Sequence, residues 1–159
     1  MTLEQSSPPM LSDAEQAILR IVAGHMIPAS AERGLPGADD PAIMADILRS
    51  LGRDVTALSE ALCAVETLSE GRFESLPNTA KIAALDRFRA RCPELAGVVE
   101  TAVAFGYYRD HRVMTAIGME PRAPFPQGYP LEYGDWSLLD PVRRRGKIYR
   151  NPDEGGEGT

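Results

Sequence analysis

The chain has little cysteine and little histidine, two residue types that often serve in active sites. It contains only two cysteines, Cys63 and Cys92, and two histidines, His25 and His111, among 159 residues. No Cys-x-x-Cys pair and no haem-attachment spacing is present, and no glycine-rich phosphate loop follows a strand pattern. The two cysteines are expected to be buried thiols on helices, since nothing in the sequence points to an oxidising compartment. The sequence therefore predicts no catalytic residue, no cofactor site and no metal site in this chain.

The chain also lacks a net positive charge and long apolar runs. The net charge is -6 and the isoelectric point is about 5.0, which argues against a nucleic-acid partner because phosphate binding needs a clustered basic face. No apolar run is long enough to cross a bilayer, so direct membrane insertion is not expected. The N-terminus lacks a basic stretch before an apolar one and lacks twin arginines. We expect a cytoplasmic protein, with co-export into the periplasm by a partner as the alternative.

Apolar residues at helical spacing, without any alternating strand pattern, predict an all-α protein. We expect a mobile N-terminus over residues 1–10 and a helical domain over 11–118, built as a small bundle of five helices with one short extra turn. A long arm over 119–150 and a disordered polar tail over 151–159 follow. Ser12 with Glu15, Asp40 with Pro41, and Asp54 are predicted helix starts. The side chains predicted to face the core are Leu11, Ala14, Ile18, Leu19, Val22, Met26, Ile43, Ile47, Leu48, Leu51, Val55, Leu58, Leu62, Val65, Leu68, Ile82, Leu85, Phe88, Leu95, Val98, Val99, Ala102, Val103 and Phe105.

The arm combines five prolines with half of the chain's ten aromatic residues. Proline fixes φ and removes a backbone donor, so the arm is expected to be extended, and a stiffened segment loses little entropy when it lies along a surface. That surface is either the protein's own helices or another chain, and we expect a partner, with the arginines pairing to acidic groups at the rim. The residues predicted to bind the partner are Phe125, Tyr129, Tyr133, Trp136, Arg143, Arg144, Arg145, Tyr149 and Arg150.

Two other functions remain open from the residues alone. The chain could be a free-standing module that binds a small ligand. It could also be a small enzyme that uses His111 with Asp110, since a neighbouring carboxylate can tune a histidine as an acid or base, together with Tyr107 and Tyr108. His25 lies near the end of the first helix, where a structural or capping role is expected.

Two sets of short motifs resemble the gluconate 2-dehydrogenase small-subunit family, also called the third or gamma subunit. The first set is Met26-Ile27-Pro28-Ala29 at the end of a helix, then Leu35-Pro36-Gly37-Ala38 in a loop before a short helix. The second is Gly106-Tyr107-Tyr108 after an apolar helix, followed by a short turn and Gly118. The resemblance extends over residues 11–118.

The resemblance implies an all-α, non-catalytic companion of a large flavin-dependent dehydrogenase of the glucose-methanol-choline oxidoreductase type. The two would form a hetero-oligomer in which the large subunit holds FAD and carries out the sugar or alcohol oxidation. Two features depart from the family's pattern. Many members carry a twin-arginine signal, which this N-terminus lacks, and His25 stands where the family has an acidic residue before the Ile-Pro step.

Overall fold

The computed structural model describes residues 10–123, 125–130 and 134–148, and this part of the chain is all-α. It contains seven α-helices and three 3₁₀ turns and no β-strand, which confirms the predicted fold class. An isolated antiparallel bridge joins Ser30 and Leu35. The α-helices are α1 (Asp13–Met26), α2 (Pro41–Ser50), α3 (Val55–Leu68), α4 (Asn78–Arg91), α5 (Pro93–Arg109), α6 (His111–Ala116) and α7 (Asp140–Arg145).

Helix α5 is the most connected helix of the first unit, because it contacts α2, α3, α4 and α6. One continuous core joins its buried face to side chains from α1, α2 and α3. No helix among the described residues is long and apolar enough to cross a membrane. The side chains that are almost fully buried include Leu19, Ile43, Ile47, Leu58, Leu62, Val65, Phe73, Val99, Val103 and Val113.

All three predicted helix starts are confirmed, and at two of them a side chain caps the helix. Ser12 and Glu15 form a reciprocal capping box at α1, and Asp40 accepts a hydrogen bond from the Ala42 amide at 2.9 Å while Pro41 opens α2. The predicted cap at Asp54 is wrong. Asp54 closes a 3₁₀ turn (Gly52–Asp54) that runs directly into α3, and its backbone is already helical. A capping side chain needs an extended backbone at that position, so its carboxylate caps nothing.

Three predicted core positions, Ala14, Ile82 and Phe105, are exposed instead. The cause for the last two is helical geometry, since residues two apart on an α-helix point in nearly opposite directions. Ile82 lies two residues before the buried Ala84, and Phe105 lies between the buried Val103 and Tyr107. The cysteines also differ from expectation. Both are free thiols, but Cys63 is exposed and Cys92 is only half-buried.

The arm differs from the expected extended chain because residues 136–145 are helical. A 3₁₀ turn (Trp136–Leu139) leads into α7, and the Asp135 side chain accepts a hydrogen bond from the Ser137 amide at 3.0 Å. Pro141 stands in the first turn of α7, where a missing amide hydrogen is tolerated, and Gly146 ends the helix at a φ of 75°. By its contacts the chain forms two compact units that divide after Arg122, a few residues later than the predicted boundary.

Gly106 sets the distance between α2 and α5. A Cβ added at this position would overlap the Cγ1 atom of Ile47 in α2, and Ile47 is fully buried. Glycine therefore allows the backbone of α5 to lie directly against an α2 side chain. The other glycine of α5, Gly97, has open space where its Cβ would be, with no heavy atom within 4 Å.

We predict that alanine has opposite effects at these two glycines of the same helix. Gly106→Ala should lower the free energy of unfolding by about 1–3 kcal/mol, because the core must shift to accept a methyl group. Gly97→Ala should raise it by about 0.5–1 kcal/mol, since alanine is the better helix former and meets no obstacle. Chemical denaturation of both variants measures this. Equal effects in the same direction would contradict the close approach at Gly106.

Candidate partner-binding surfaces

The two sets of motifs that carry the family resemblance meet in space. The loop between α1 and α2 is closed by a hydrogen bond from the Ala38 amide to the Ile27 carbonyl at 2.9 Å. Tyr107, near the end of α5, donates its hydroxyl to the carbonyl of Pro36 in that loop at 3.2 Å. Its ring is buried, and this burial raises the pKa of the Tyr107 hydroxyl. The motifs thus form one structural joint between a loop and a helix end.

The carboxylate of Asp110, beside His111, is bound to an arginine. Its Oδ2 atom lies 2.8 Å from Nη2 of Arg112, and its Oδ1 atom accepts a hydrogen bond from the Arg112 amide at 2.8 Å. The same guanidinium group reaches Asp40 at 2.9 Å and 3.1 Å. Among the described residues, no hydrogen bond joins the exposed His111 ring to Asp110. The acid–base pair on which the enzyme alternative depended is therefore not formed.

The Arg112 network ties the first turn of α6 to the first turn of α2. Hydrogen bonds from Arg112 hold the pKa values of Asp40 and Asp110 below their usual range, and both carboxylates raise the pKa of Arg112 in return. A second pair lies nearby, where Nη2 of Arg109 is 2.5 Å from Asp46. These charges are matched within the fold, which makes them structural ties between helices.

His25 joins two helices in the same way. Its Nδ1 atom donates to the Ile21 carbonyl at 2.8 Å, and its Nε2 atom lies 2.8 Å from Oδ1 of Asn78 at the start of α4. It borders an open polar cleft of about 590 Å³ that Arg20, Asp39 and Lys81 also line. Among the described residues no group of three or more metal-ligating side chains is placed to hold a metal ion.

The structure describes six of the nine residues predicted to bind a partner. Phe125 and Trp136 are 86% and 67% exposed, and Tyr129 is 40% exposed. Arg143, Arg144 and Arg145 occupy the last turn of α7. Two of these arginines already have contacts in their own helix, because Asp140 pairs with Arg143 at 3.4 Å and its carbonyl accepts from Arg144 at 3.3 Å. Tyr133, Tyr149 and Arg150 lie outside the described residues.

The arm also presents exposed aliphatic side chains that the sequence reasoning did not include. Leu138 is 75% exposed and Ile148 is 79% exposed, and Leu139 and Val142 are exposed as well. Val142 follows Leu139 by three residues and Leu138 by four, and side chains at these separations lie near each other on a helix. That spacing is visible in the sequence, but the density of prolines favoured an extended reading over a helical one.

A second apolar surface lies along α5. A groove of about 730 Å³ lies between α5 on one side and the end of α2, the connecting turn and the start of α3 on the other, and its lining residue Phe105 is 68% exposed. Its charged residues are Asp54, Glu94 and Arg109. The other groove residues are Ser50, Leu51, Ala57, Leu58, Gly97, Val98, Thr101 and Ala102.

Comparison of the chain with protein-family models, with curated proteins and with solved structures found no match in any of the three. The two apolar surfaces, one on the arm and one on α5, are therefore interpreted from their own residues.

We predict that the Arg112 network stabilises the fold in a pH-dependent way. Arg112→Gln should lower the free energy of unfolding by about 1 kcal/mol at neutral pH, a small value because solvent screens the half-exposed guanidinium group. The folded-state pKa values of Asp40 and Asp110 are depressed. Their contribution to the free energy of unfolding is therefore present above the unfolded-state pKa of about 3.9. It is lost as the pH falls through the folded-state pKa.

Denaturation of wild type and variant between about pH 7 and pH 3 tests this prediction. The difference in the free energy of unfolding between wild type and Arg112→Gln should become smaller as the solution becomes acidic. His111→Gln is the matched control, because it alters an exposed residue in the same turn and should leave stability unchanged at every pH. A constant difference between wild type and Arg112→Gln would show that the effect comes from packing.

Proposed function

We propose that this chain is the non-catalytic small subunit of a hetero-oligomer, in which it binds and stabilises a large FAD-dependent dehydrogenase of the glucose-methanol-choline type. The large subunit would hold the flavin and oxidise a sugar or alcohol, and this chain would hold no cofactor. The partner and its chemistry come from the resemblance of the loop and helix motifs. The all-α fold is the one expected for such a companion.

The observation that carries the binding role is the exposed apolar surface of residues 134–148. Trp136, Leu138, Val142 and Ile148 are each more than half exposed within a stretch of 15 residues. Monomeric proteins seldom leave such side chains together in water, and surfaces of this kind mark interaction sites. Tryptophan and arginine are also the residues that most often dominate protein interfaces. The arm thus has the composition of a binding segment.

The contacts of the charged residues favour a binding role over catalysis. Asp110, Asp40 and Asp46 are paired with arginines of the fold, and His25 bonds to a backbone carbonyl and a side-chain amide. In these contacts, none of the four side chains is hydrogen-bonded to a nucleophilic side chain. A small-ligand module remains the competing proposal, with the polar cleft beside His25 as its site, and it predicts a chain that acts without any partner.

We predict that Trp136→Ala weakens the complex with the dehydrogenase subunit by about 2 kcal/mol, or roughly 30-fold in Kd. The reason is that the indole ring would be a buried anchor of the interface. Co-expression of the chain with a flavoprotein dehydrogenase from the same genome, followed by co-purification and an absorbance spectrum, measures both the complex and its flavin. Ser137→Ala in the same turn is the matched control and should bind normally.

The stability of the free chain separates binding from folding in this test. Trp136→Ala should keep the thermal unfolding of the helical unit unchanged, since the ring is largely exposed. If the wild-type chain fails to co-purify with any flavoprotein, the companion role is wrong. If Trp136→Ala binds as tightly as Ser137→Ala, the arm is not the anchor and the interface lies elsewhere.

A further inference from the structure

The groove along α5 has three features that together define what would fill it. The first is its shape, because α5 contributes Glu94 at its first turn, Thr101 in the middle and Arg109 at its end. Residues 94–109 of an α-helix extend over about 22 Å. The groove therefore has the length of an α-helix of about four turns, and recognition of an amphipathic helix in an apolar groove is a common binding mode.

The second feature is Gly97, which lies on the groove without a packing reason inside the chain. Glycine in a helix interior is unfavourable by about 1 kcal/mol relative to alanine. The presence of glycine at position 106 is explained by the close approach of Ile47. A Cβ at Gly97, by contrast, would meet no heavy atom within 4 Å. A glycine there gives an incoming backbone room to approach, next to the small Ala57 and Ala102.

The third feature is charge. Of the three charged residues on the groove, Arg109 is neutralised by Asp46, with Nη2 and Nε at 2.5 Å and 3.2 Å from Oδ2. Asp54 has only a loose ion pair with Arg53 at 3.9 Å, in which both side chains are highly exposed. No ion pair of Glu94 is found among the described residues. The uncompensated charge on the groove is therefore negative.

We infer that this groove docks an amphipathic α-helix of the partner subunit, with an apolar face toward Phe105 and Gly97 and with lysine or arginine residues toward Glu94 and Asp54. The inference rests on the proposed function in so far as the helix belongs to the dehydrogenase. It adds a second contact, on the helical unit, to the contact made by the arm. Phe105, which is 68% exposed, would insert between side chains of the docked helix.

The test uses two synthetic peptides of about 16 residues that share one leucine–alanine face and are flanked by lysines or by glutamates. Titration into the full-length chain by fluorescence anisotropy gives the affinities, and amide chemical shifts locate the site. The lysine peptide should bind at least about tenfold more tightly than the glutamate peptide. Its shifts should fall on residues 94–109, and its affinity should drop as salt is raised.

Two variants locate the contact without disturbing the fold. Gly97→Leu fills the groove from open space and should reduce binding of the lysine peptide at least about tenfold while the free chain unfolds at the same temperature or higher. Ala83→Leu places the same side chain on the exposed surface of α4 and should leave binding unchanged. Glu94→Lys should remove the preference for the lysine peptide.

Several results would overturn the inference. They are equal affinity for the two peptides, no binding up to about 1 mM, or shifts confined to another surface. A wild-type chain that is dimeric alone, and monomeric as Gly97→Leu, would assign the groove to a second copy and would equally sink the proposal. Because the peptides need no dehydrogenase, the groove can be judged even if co-purification fails. Conversely, a complex that forms normally with Gly97→Leu leaves the arm as its anchor and removes the groove.

Discussion

The close approach of α2 and α5 is the contact on which the rest of the structure depends. Gly106 permits it, because a Cβ at this position would overlap the Cγ1 atom of the buried Ile47. The same approach brings Tyr107 within hydrogen-bonding distance of Pro36 and Arg109 within reach of Asp46. The loop before α2 and the end of α5 are thus fixed together. The face of α5 that does not pack against α2 lines the groove.

The two faces of α5 differ in burial, and this difference connects the fold to the proposed function. The inner face carries Val99, Val103 and Tyr107, which are all buried in the core. The outer face carries Phe105, which is exposed and not part of the core. The charged residues around the joint are paired within the chain. Exposed apolar side chains lie on α5 and on the arm. The proposed binding role depends on these two apolar surfaces.

The sequence predicted the all-α class and most helix boundaries because those depend on local chemistry, such as the capping box at Ser12 and the proline at the start of α2. It failed where helix orientation decides the outcome. Phe105 was assigned to the core by hydrophobicity, although its angular position opposes that of its buried neighbours. Phe73, fully buried in a 3₁₀ turn, follows no periodic pattern and could not be found. The contact between Arg112 and Asp40 was also missed, since it joins residues 72 positions apart in the sequence.

Hydrogen–deuterium exchange on the chain, free and in complex with the large flavoprotein subunit, tests the central claim most directly. The account predicts slower exchange on binding in two places, residues 134–148 of the arm and residues 94–109 of α5. Amides of α1 and α4, which contribute no residue to the groove, should exchange at the same rate in both states. Protection confined to the cleft beside His25, or no change anywhere in the presence of the flavoprotein, would contradict the account.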